Sequence, residues 1–228
     1  MFGALFDVRP QSAISGHNDL VMDTSSLRLT THGLVLREWT NDDLAVMQEL
    51  FDDPDVAYRT PLESPFGQAA ALRYLRSAQQ ARHTNDRIHL AITTDGHQAL
   101  GEVLLNRATG SIGYIVGAAH RGQRLAVRAL RTMTEFAHTT VALPRVILEI
   151  EPDNHPSIAV ARSAGFHPSS SAPETVTDKG RTYGLLTWEH TLTTAERGSG
   201  GPGESHPRAP TERSVKVSRH SALLIEPT

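Results

Sequence analysis

An anion-binding loop is the clearest chemical feature of this sequence. A predicted strand, SIGYIV, ends at Val116, and a short segment containing Gly117 and Gly122 leads into a helix expected over about 122–138. The first turn of such a helix carries free backbone N–H groups and the positive end of the helix dipole. The segment is therefore suited to binding phosphate.

A row of arginines follows this loop at helical spacing. Its members are Arg121, Arg124, Arg128 and Arg131. Such a row is usually a solvated helix face. Because it starts beside a helix N-terminus, it is also placed to hold several phosphates at once. The sequence alone leaves both interpretations open.

Other kinds of reactive centre receive little support. The chain has no cysteine, which excludes a disulfide scaffold, a cysteine-ligated metal and a cysteine nucleophile. Its 12 histidines are scattered, with no HExxH motif and no close pair at helical spacing. His120, beside the loop, is interpreted as a loop residue. We therefore predict no metal site.

Composition narrows the class of protein further. The 228 residues are 39% hydrophobic and 21% charged, as in soluble globular proteins, and the net charge is −3. This charge excludes a chain-wide electrostatic footprint for nucleic acid. No apolar run approaches the roughly 18 residues needed to span a bilayer. Neither nucleic acid nor a membrane is an expected partner, nothing indicates an oligomeric state, and the expected location is the cytoplasm.

The chain divides into three segments by composition. Residues 1–26 have no periodic pattern and are predicted to be an N-terminal extension. Residues 27–190 are predicted to form one compact domain. Gly, Pro, Ser and mixed charges dominate 191–228, which is too polar to offset the entropy of ordering it and is predicted to be a disordered tail.

The predicted elements of the domain alternate between strands and helices. In order, they are a strand at 34–36, helices at 41–51 and 67–82, strands at 88–93, 99–106 and 111–116, a helix at 122–138, a strand at 145–151, a helix at 156–164 and a strand at 182–189. Antiparallel hairpins come first and a strand–helix–strand crossover follows. The fold class is therefore α/β, with a mixed sheet whose central pair, 111–116 and 145–151, is parallel.

Three stretches together resemble one known family. They are LVLREWTNDDLAVMQELFDDPDVA, the loop RGQRLA at 121–126 and DNHPSIAVARSAGF at 153–166. The chain is similar over about 30–190 to the GNAT superfamily of N-acetyltransferases, and most similar to its RimJ/RimL-like branch. The resemblance implies a GNAT-like mixed sheet with an antiparallel N-terminal half, a splayed parallel pair and a crossover helix. It also implies acetyl-CoA as the acetyl donor.

The resemblance assigns donor-binding roles to two segments and one side chain. Backbone groups of Tyr114, Ile115 and Val116 would pair with the pantetheine arm. The pyrophosphate would be held by the loop and the start of the helix, at Arg121, Gly122, Gln123, Arg124, Leu125, Ala126 and Val127. Asn154 would bond to the pantetheine, although a helix-capping role before Pro156 is equally expected.

One position departs from the family pattern. The loop normally reads Gln/Arg-x-x-Gly-x-Gly/Ala, but Arg124 occupies the place of the central glycine. Glycine lets the backbone approach a phosphate with no Cβ in the way. Arg124 would either add a positive charge beside the phosphate or obstruct it.

Candidate acid–base residues are less sharply defined. Direct attack by an amine needs a proton acceptor, for which Glu149 and Glu102 are candidates. Glu149 is equally well interpreted as a solvent-facing strand residue, and Glu102 as a strand-edge charge. Ser157 matches the serine proposed to protonate the leaving thiolate, although it also fits a helix first turn. Ala161 stands where other branches carry a tyrosine, which leaves Tyr183 as a weaker donor.

These features predict an acetyl-CoA-dependent N-acetyltransferase. The expected acceptor is a protein N-terminal α-amine or a small-molecule amine. Arg124 and the missing tyrosine are the reasons to keep one alternative, a non-catalytic acyl-CoA-binding or interaction module that retains the fold.

Overall fold

A computed structural model describes residues 26–192. The helices are α1 (Leu44–Phe51), α2 (Pro54–Arg59), α3 (Gln68–His83), α4 (Leu125–Thr139) and α5 (His155–Ser163). The strands are β1 (Arg28–Thr31), β2 (Leu34–Glu38), β3 (Arg87–Thr93), β4 (Gly101–Asn106), β5 (Ile112–Val116), β6 (Arg145–Ile150), β7 (His167–Pro168), β8 (Glu174–Asp178) and β9 (Arg181–Thr191).

The first five strands form an antiparallel sheet in chain order, β1-β2-β3-β4-β5. Alternating apolar residues bury its two faces against different helices. One face packs on α4 through a core that includes Leu90, Val103 and Met133. The other packs on α1 and α3 through a cluster of edge-to-face rings at Phe51 and Tyr74. The predicted antiparallel N-terminal half is confirmed.

The second sheet has β9 at its centre, between β6 and β7, and β8 also pairs with β9. The two sheets meet at one parallel bridge, Ser111 with Ile147, where the Ile147 N–H donates to the Gly110 carbonyl at 2.9 Å. A Cβ at Gly110 would lie 2.8 Å from the Arg145 carbonyl oxygen, so only glycine allows this approach. Beyond the bridge β5 and β6 separate, and α4 connects them. The splayed parallel pair with a crossover helix is confirmed.

Helix α2 was missed by the sequence analysis. Helix α1 ends at Phe51, as predicted, and the Asp53-Pro54 dipeptide that follows begins a new helix. The Asp53 carboxylate accepts from the N–H groups of Asp55 (2.8 Å) and Val56 (3.1 Å), with Pro54 in the first turn. An N-cap followed by proline is a helix-start signal, so this helix was readable from the sequence.

The start of α4 is later than predicted. Gly122 (φ 83°) and Arg124 (φ 58°) both have left-handed backbones, so regular helix begins only at Leu125. Loop residues expected in the helix therefore form an irregular turn before it.

The two predicted segment boundaries fall at the edges of the described residues. Strand β9 extends to Thr191, one residue past the predicted domain end. The predicted extension, 1–26, and the predicted tail, 191–228, otherwise lie outside the described residues. No helix within 26–192 is long and apolar enough to cross a bilayer.

Candidate active site

A cleft of about 590 Å³ opens where β5 and β6 separate. Its walls are the end of β5, the loop before α4, the first turns of α4 and α5, and one face of α2. The structure brings most of the predicted donor-site residues into this cleft. Those lining it are Tyr114, Ile115, Val116, Arg121, Gly122, Arg124, Leu125, Ala126, Val127, Asn154 and Ser157.

Four of the predicted residues do not line the cleft: Gln123, Glu102, Glu149 and Tyr183. Gln123 is an exposed loop residue between the two left-handed positions. The others lie elsewhere in the two sheets and are described below.

The edge of β5 that faces the cleft has backbone groups available for a bound chain. On its other edge β5 pairs with β4. Toward β6, the pairing among the described strands stops at the Ser111 bridge. An extended ligand segment can therefore hydrogen-bond along Tyr114 to Val116 as an added strand.

The loop before α4 exposes the N-terminal amides of that helix. The first-turn N–H groups of a helix have no intrahelical partner, and here they border the cleft. A Cβ at Gly122 would meet nothing within 4 Å. The loop therefore presents backbone donors without a steric barrier at Gly122, as phosphate binding requires.

Arg124 takes the backbone conformation that glycine favours. Its φ and ψ are 58° and 21°, and its side chain is exposed at the edge of the cleft. A non-glycine residue in this region costs about 1 kcal/mol. The path of the loop thus does not depend on glycine at this position.

The arginine row does not act as one unit. Arg121 pairs with Asp55 (2.9 Å) and Asp53 (3.2 Å) at the start of α2. Arg128 donates to the carbonyls of the turn between β1 and β2. Arg131 donates to the Ser163 carbonyl at the end of α5 (2.6 Å). The four arginines therefore do not form one phosphate-facing row, because Arg121, Arg128 and Arg131 contact three different parts of the fold.

Asn154 caps α5 and lines the cleft. Its Oδ1 accepts from the Ser157 N–H at 3.2 Å, with Pro156 in the first turn. The capping interpretation is confirmed. The same position leaves the residue beside the space that a ligand would occupy.

Ser157 and Tyr114 face each other across the inner end of the cleft. The Tyr114 hydroxyl donates to the Ser157 carbonyl at 3.4 Å. Burial raises the pKa of Tyr114 to about 12, so the phenol stays protonated at neutral pH. Both residues bring a hydroxyl-bearing side chain to this end of the cleft.

Glu102 lies in a closed polar network on the α3 side of the first sheet. It is 1% exposed and accepts from Trp39 Nε1 at 2.8 Å and from the Tyr74 hydroxyl at 2.5 Å, with His89 Nδ1 at 3.4 Å. Burial and the nearby Glu102 charge raise the pKa of Tyr74 well above its usual value. The interpretation of Glu102 as a strand-edge charge is wrong. No local pattern identifies its partners, because they come from other strands and α3.

Glu149 lies beside the point where the two sheets part. It is half-buried on β6, and its carboxylate accepts from the Ser111 hydroxyl at 3.4 Å. Tyr183 is on β9, where the Arg181 guanidinium lies 4.7 Å from its ring. Neither side chain lines the cleft.

A second cavity, of about 600 Å³, lies on the opposite face of α2. Its lining joins Asp52–Pro54, Ala57, Tyr58 and Ser64 to the tip of the β8–β9 hairpin. These regions, 52–66 and the last hairpin, carry no recognisable motif in the sequence. The helix α2 is thus a partition between the two cavities.

Four acidic residues near this partition have protein partners. Asp53 and Asp55 pair with Arg121, Glu63 pairs with Arg73 (2.5 Å), and Asp52 accepts from the Phe66 N–H (2.9 Å). They do not form a free anionic patch. Within 26–192, no three His, Asp or Glu side chains gather as metal ligands.

The splayed strands and the loop before α4 can be compared with known proteins. The family model of the acetyltransferase (GNAT) domain matches residues 33–167, more than half of the chain. The chain belongs to the GNAT family. It is accordingly an acyltransferase.

Known relatives agree with this GNAT assignment. An uncharacterized N-acetyltransferase, p20, from Bacillus licheniformis is 25% identical over 160 residues, which cover 67% of this chain and 89% of p20. RimJ from Mycobacterium smegmatis, solved with CoA-disulfide, matches with a TM-score of 0.64 and 20% identity, covering 76% of this chain and 89% of RimJ.

A third relative extends the comparison to a polyamine enzyme. Spermidine N-acetyltransferase from Vibrio cholerae, solved with CoA and spermine, matches with a TM-score of 0.58 and 17% identity, covering 71% of this chain and 96% of that structure. At these identities the structural matches show the fold.

Proposed function

We propose that this GNAT chain transfers an acetyl group from acetyl-CoA to a primary amine. The observation that carries the proposal is the cleft at the splay. In it, an open β5 edge, a helix N-terminus and the Asn154 cap meet in one space of about 590 Å³. These groups suit an extended amide chain that ends in phosphates. The solved relatives that contain CoA-disulfide or CoA support the same donor.

Each end of the cleft has a distinct role in this proposal. The amides of Gly122 to Val127 hold the pyrophosphate, aided by Arg121 and Arg124 at the rim. Backbone groups of Tyr114 to Val116 pair with the pantetheine, and Asn154 bonds to it from α5. A β5 N–H polarises the thioester carbonyl as a small oxyanion hole.

The acetyl transfer is proposed to be direct. A neutral amine attacks the thioester carbonyl, a C–N bond forms, and the C–S bond breaks with its electron pair going to sulfur. Glu149, or a water it orients, accepts the amine proton at the splay. The hydroxyl of Ser157 is the proton donor to the departing thiolate.

The acceptor is a protein N-terminal α-amine or a small-molecule amine. The α2 partition and the β8–β9 hairpin are proposed to select between them, since they enclose the second cavity beside the donor cleft. The spermine-bound relative supports a small polyamine as one class. The RimJ-like resemblance supports a peptide N-terminus as the other.

A turnover assay tests the proposal. Purified protein is incubated with acetyl-CoA and either N-terminal peptides or a panel of polyamines and aminoglycosides, and CoA release is followed. We expect CoA release with at least one amine class and binding of CoA by calorimetry. Absence of CoA binding at millimolar concentration would reject the donor site. Binding without turnover on any amine would favour a non-catalytic module.

A further inference from the structure

A buried carboxylate outside the cleft links the three elements around it. Glu151 directly follows β6 and is 6% exposed. Its Oε2 accepts from Arg181 of β9 at 2.7 Å and pairs with Arg59 of α2 at 3.2 Å. A carboxylate so placed is stable only while its cations stay in position.

The same arginines reach further into the surroundings of the cleft. Arg59 also binds both carboxylate oxygens of Asp153, at 2.7 and 3.2 Å, and it lines the cleft. Arg181 donates to the Tyr58 carbonyl at 2.7 Å and stacks 3.6 Å from that ring. We call the four charged residues Glu151, Asp153, Arg59 and Arg181 the Glu151 cluster.

Glu151 of this cluster also begins a turn that ends at Asn154. The Glu151 carbonyl accepts from the Asn154 N–H at 2.9 Å, which closes the turn. The Asn154 side chain then accepts from the Ser157 N–H, so the first turn of α5 is fixed to the same unit. Glu151 itself does not line the cleft.

We propose that Glu151 is a positioning residue, which sets the geometry of Asn154 for donor binding by anchoring the 151–154 turn to α2 and β9. This inference rests on the proposed function, because it assigns a task to the donor cleft. Two arginines from separate elements must both be held for the turn to keep its place. Loss of the Glu151 charge frees the turn while leaving β5 and the loop before α4 intact.

The test compares Glu151→Gln with a matched variant, Glu189→Gln. Glu189 is a strand carboxylate in the same sheet, paired with Arg145 at 3.0 Å and remote from the turn. For Glu151→Gln we expect the Kd of CoA, measured by calorimetry, to rise about tenfold, equivalent to about 1.4 kcal/mol. We also expect the KM for acetyl-CoA to rise with it, little change in kcat, and partial recovery in Glu151→Asp. Glu189→Gln should keep the parent Kd.

Arg181→Gln provides a second route if Glu151→Gln does not fold. It leaves Arg59 beside the carboxylate and should raise the Kd in the same direction. A folded Glu151→Gln with the parent Kd for CoA would overturn the inference. So would a change confined to kcat, or the unfolding of both variants, which would make the cluster purely structural. If the unmodified protein binds no CoA, the proposed function itself is overturned. Equal binding of CoA by the parent and Glu151→Gln overturns only the role of Glu151.

Discussion

The hydroxyl of Tyr114 on β5 donates to the carbonyl of Ser157 on α5 and so bridges the inner end of the cleft at 3.4 Å. The two residues are 43 positions apart in the chain. The bond joins the strand that would pair with the pantetheine to the helix that Asn154 caps. Tyr114 therefore makes a side-chain contact in addition to the backbone role that we propose for it.

Tyr114→Phe should change the alkaline stability of the protein. Burial raises the pKa of Tyr114 from its usual 10 to about 12, so between these values the unfolded phenol ionises while the folded one keeps its proton. Stability from this group is therefore present below pH 10 and falls as pH rises toward 12. Near neutral pH the variant should be less stable than the parent by about 1 kcal/mol, because it lacks one hydrogen bond.

Chemical denaturation at neutral pH and near pH 11 measures this effect. The difference in the free energy of unfolding between the parent protein and Tyr114→Phe should become smaller or change sign at the higher pH. Tyr58→Phe is the control, because that ring is 49% exposed. A difference that stays constant with pH would show that the phenol is not shielded as described.

Glu149→Gln should lower turnover without weakening CoA binding. The substitution keeps the shape beside Ser111 and removes the proton acceptor, and loss of a general base costs about 10²–10⁴-fold in rate. Steady-state kcat and calorimetric Kd separate the two effects. Undiminished turnover would assign the proton to water or to Glu102.

Glu102→Gln is the matched comparison for that experiment. Because Glu102 accepts from both Trp39 and Tyr74 in a buried site, its substitution should cost about 1–3 kcal/mol of stability. A stable Glu102→Gln protein with a large loss of kcat would identify Glu102 as the base.

Arg124→Gly should keep CoA binding within about tenfold, or 1.4 kcal/mol. The left-handed backbone is already in place, and glycine adopts it without penalty but gains freedom in the unfolded chain. CoA should raise the melting temperature more at low salt than at high salt, since screening weakens exposed charges.

Arg124→Ala separates the charge from the backbone effect. Alanine removes the guanidinium and keeps the strained conformation, so both variants share the loss of charge. If Arg124→Gly and Arg124→Ala both abolish binding, the side chain is a direct phosphate ligand. If both variants bind CoA about a hundredfold more tightly, equivalent to about 2.7 kcal/mol, the Arg124 side chain obstructs CoA binding in the parent protein.

Asp55→Asn should tighten CoA binding modestly. In the described structure Arg121 pairs with Asp55 and Asp53, and these carboxylates compete with a phosphate for the same guanidinium. Asp55 is exposed, so the gain should not exceed about 1 kcal/mol, or roughly fivefold. Asp53 is left intact because it caps α2.

A double-mutant cycle checks the origin of that gain. In an Arg121→Gln background the Asp55 substitution should have no further effect on the Kd. An equal gain in both backgrounds would attribute the effect to the general field of the acidic side chain, and the competition would be ruled out.

Features encoded over short stretches of chain were predictable. Gly110 lies where β6 approaches closely, and Gly122 lies in the loop before α4. Asn154 followed by Pro156 marks a helix start. Each depends on a few neighbouring residues. The splay and the residues that line the cleft were instead implied by the resemblance of short motifs to the GNAT family. The Asp53-Pro54 signal had the same local character, although the helix that it begins was not predicted.

Side-chain partners over long sequence separations were not predictable. Glu102 is 63 positions from Trp39, and Arg121 is 66 positions from Asp55. Charge spacing on a helix gives the direction of a side chain but not what another element brings to it. The arginine row was therefore grouped as one surface, although its members bind three separate elements.

The chain-order pairing of the first sheet bears on how the cleft is built during synthesis. Strands β1 to β5 each pair with the strand before them, so this sheet can form from the N-terminal side as the chain emerges. β6, in contrast, takes its antiparallel partner from β9, which is made after α5 and two further strands. Sequence-distant pairings form more slowly than local ones. A nascent chain can therefore carry a nearly complete first sheet while β6, on the other side of the splay, still lacks its partner strand.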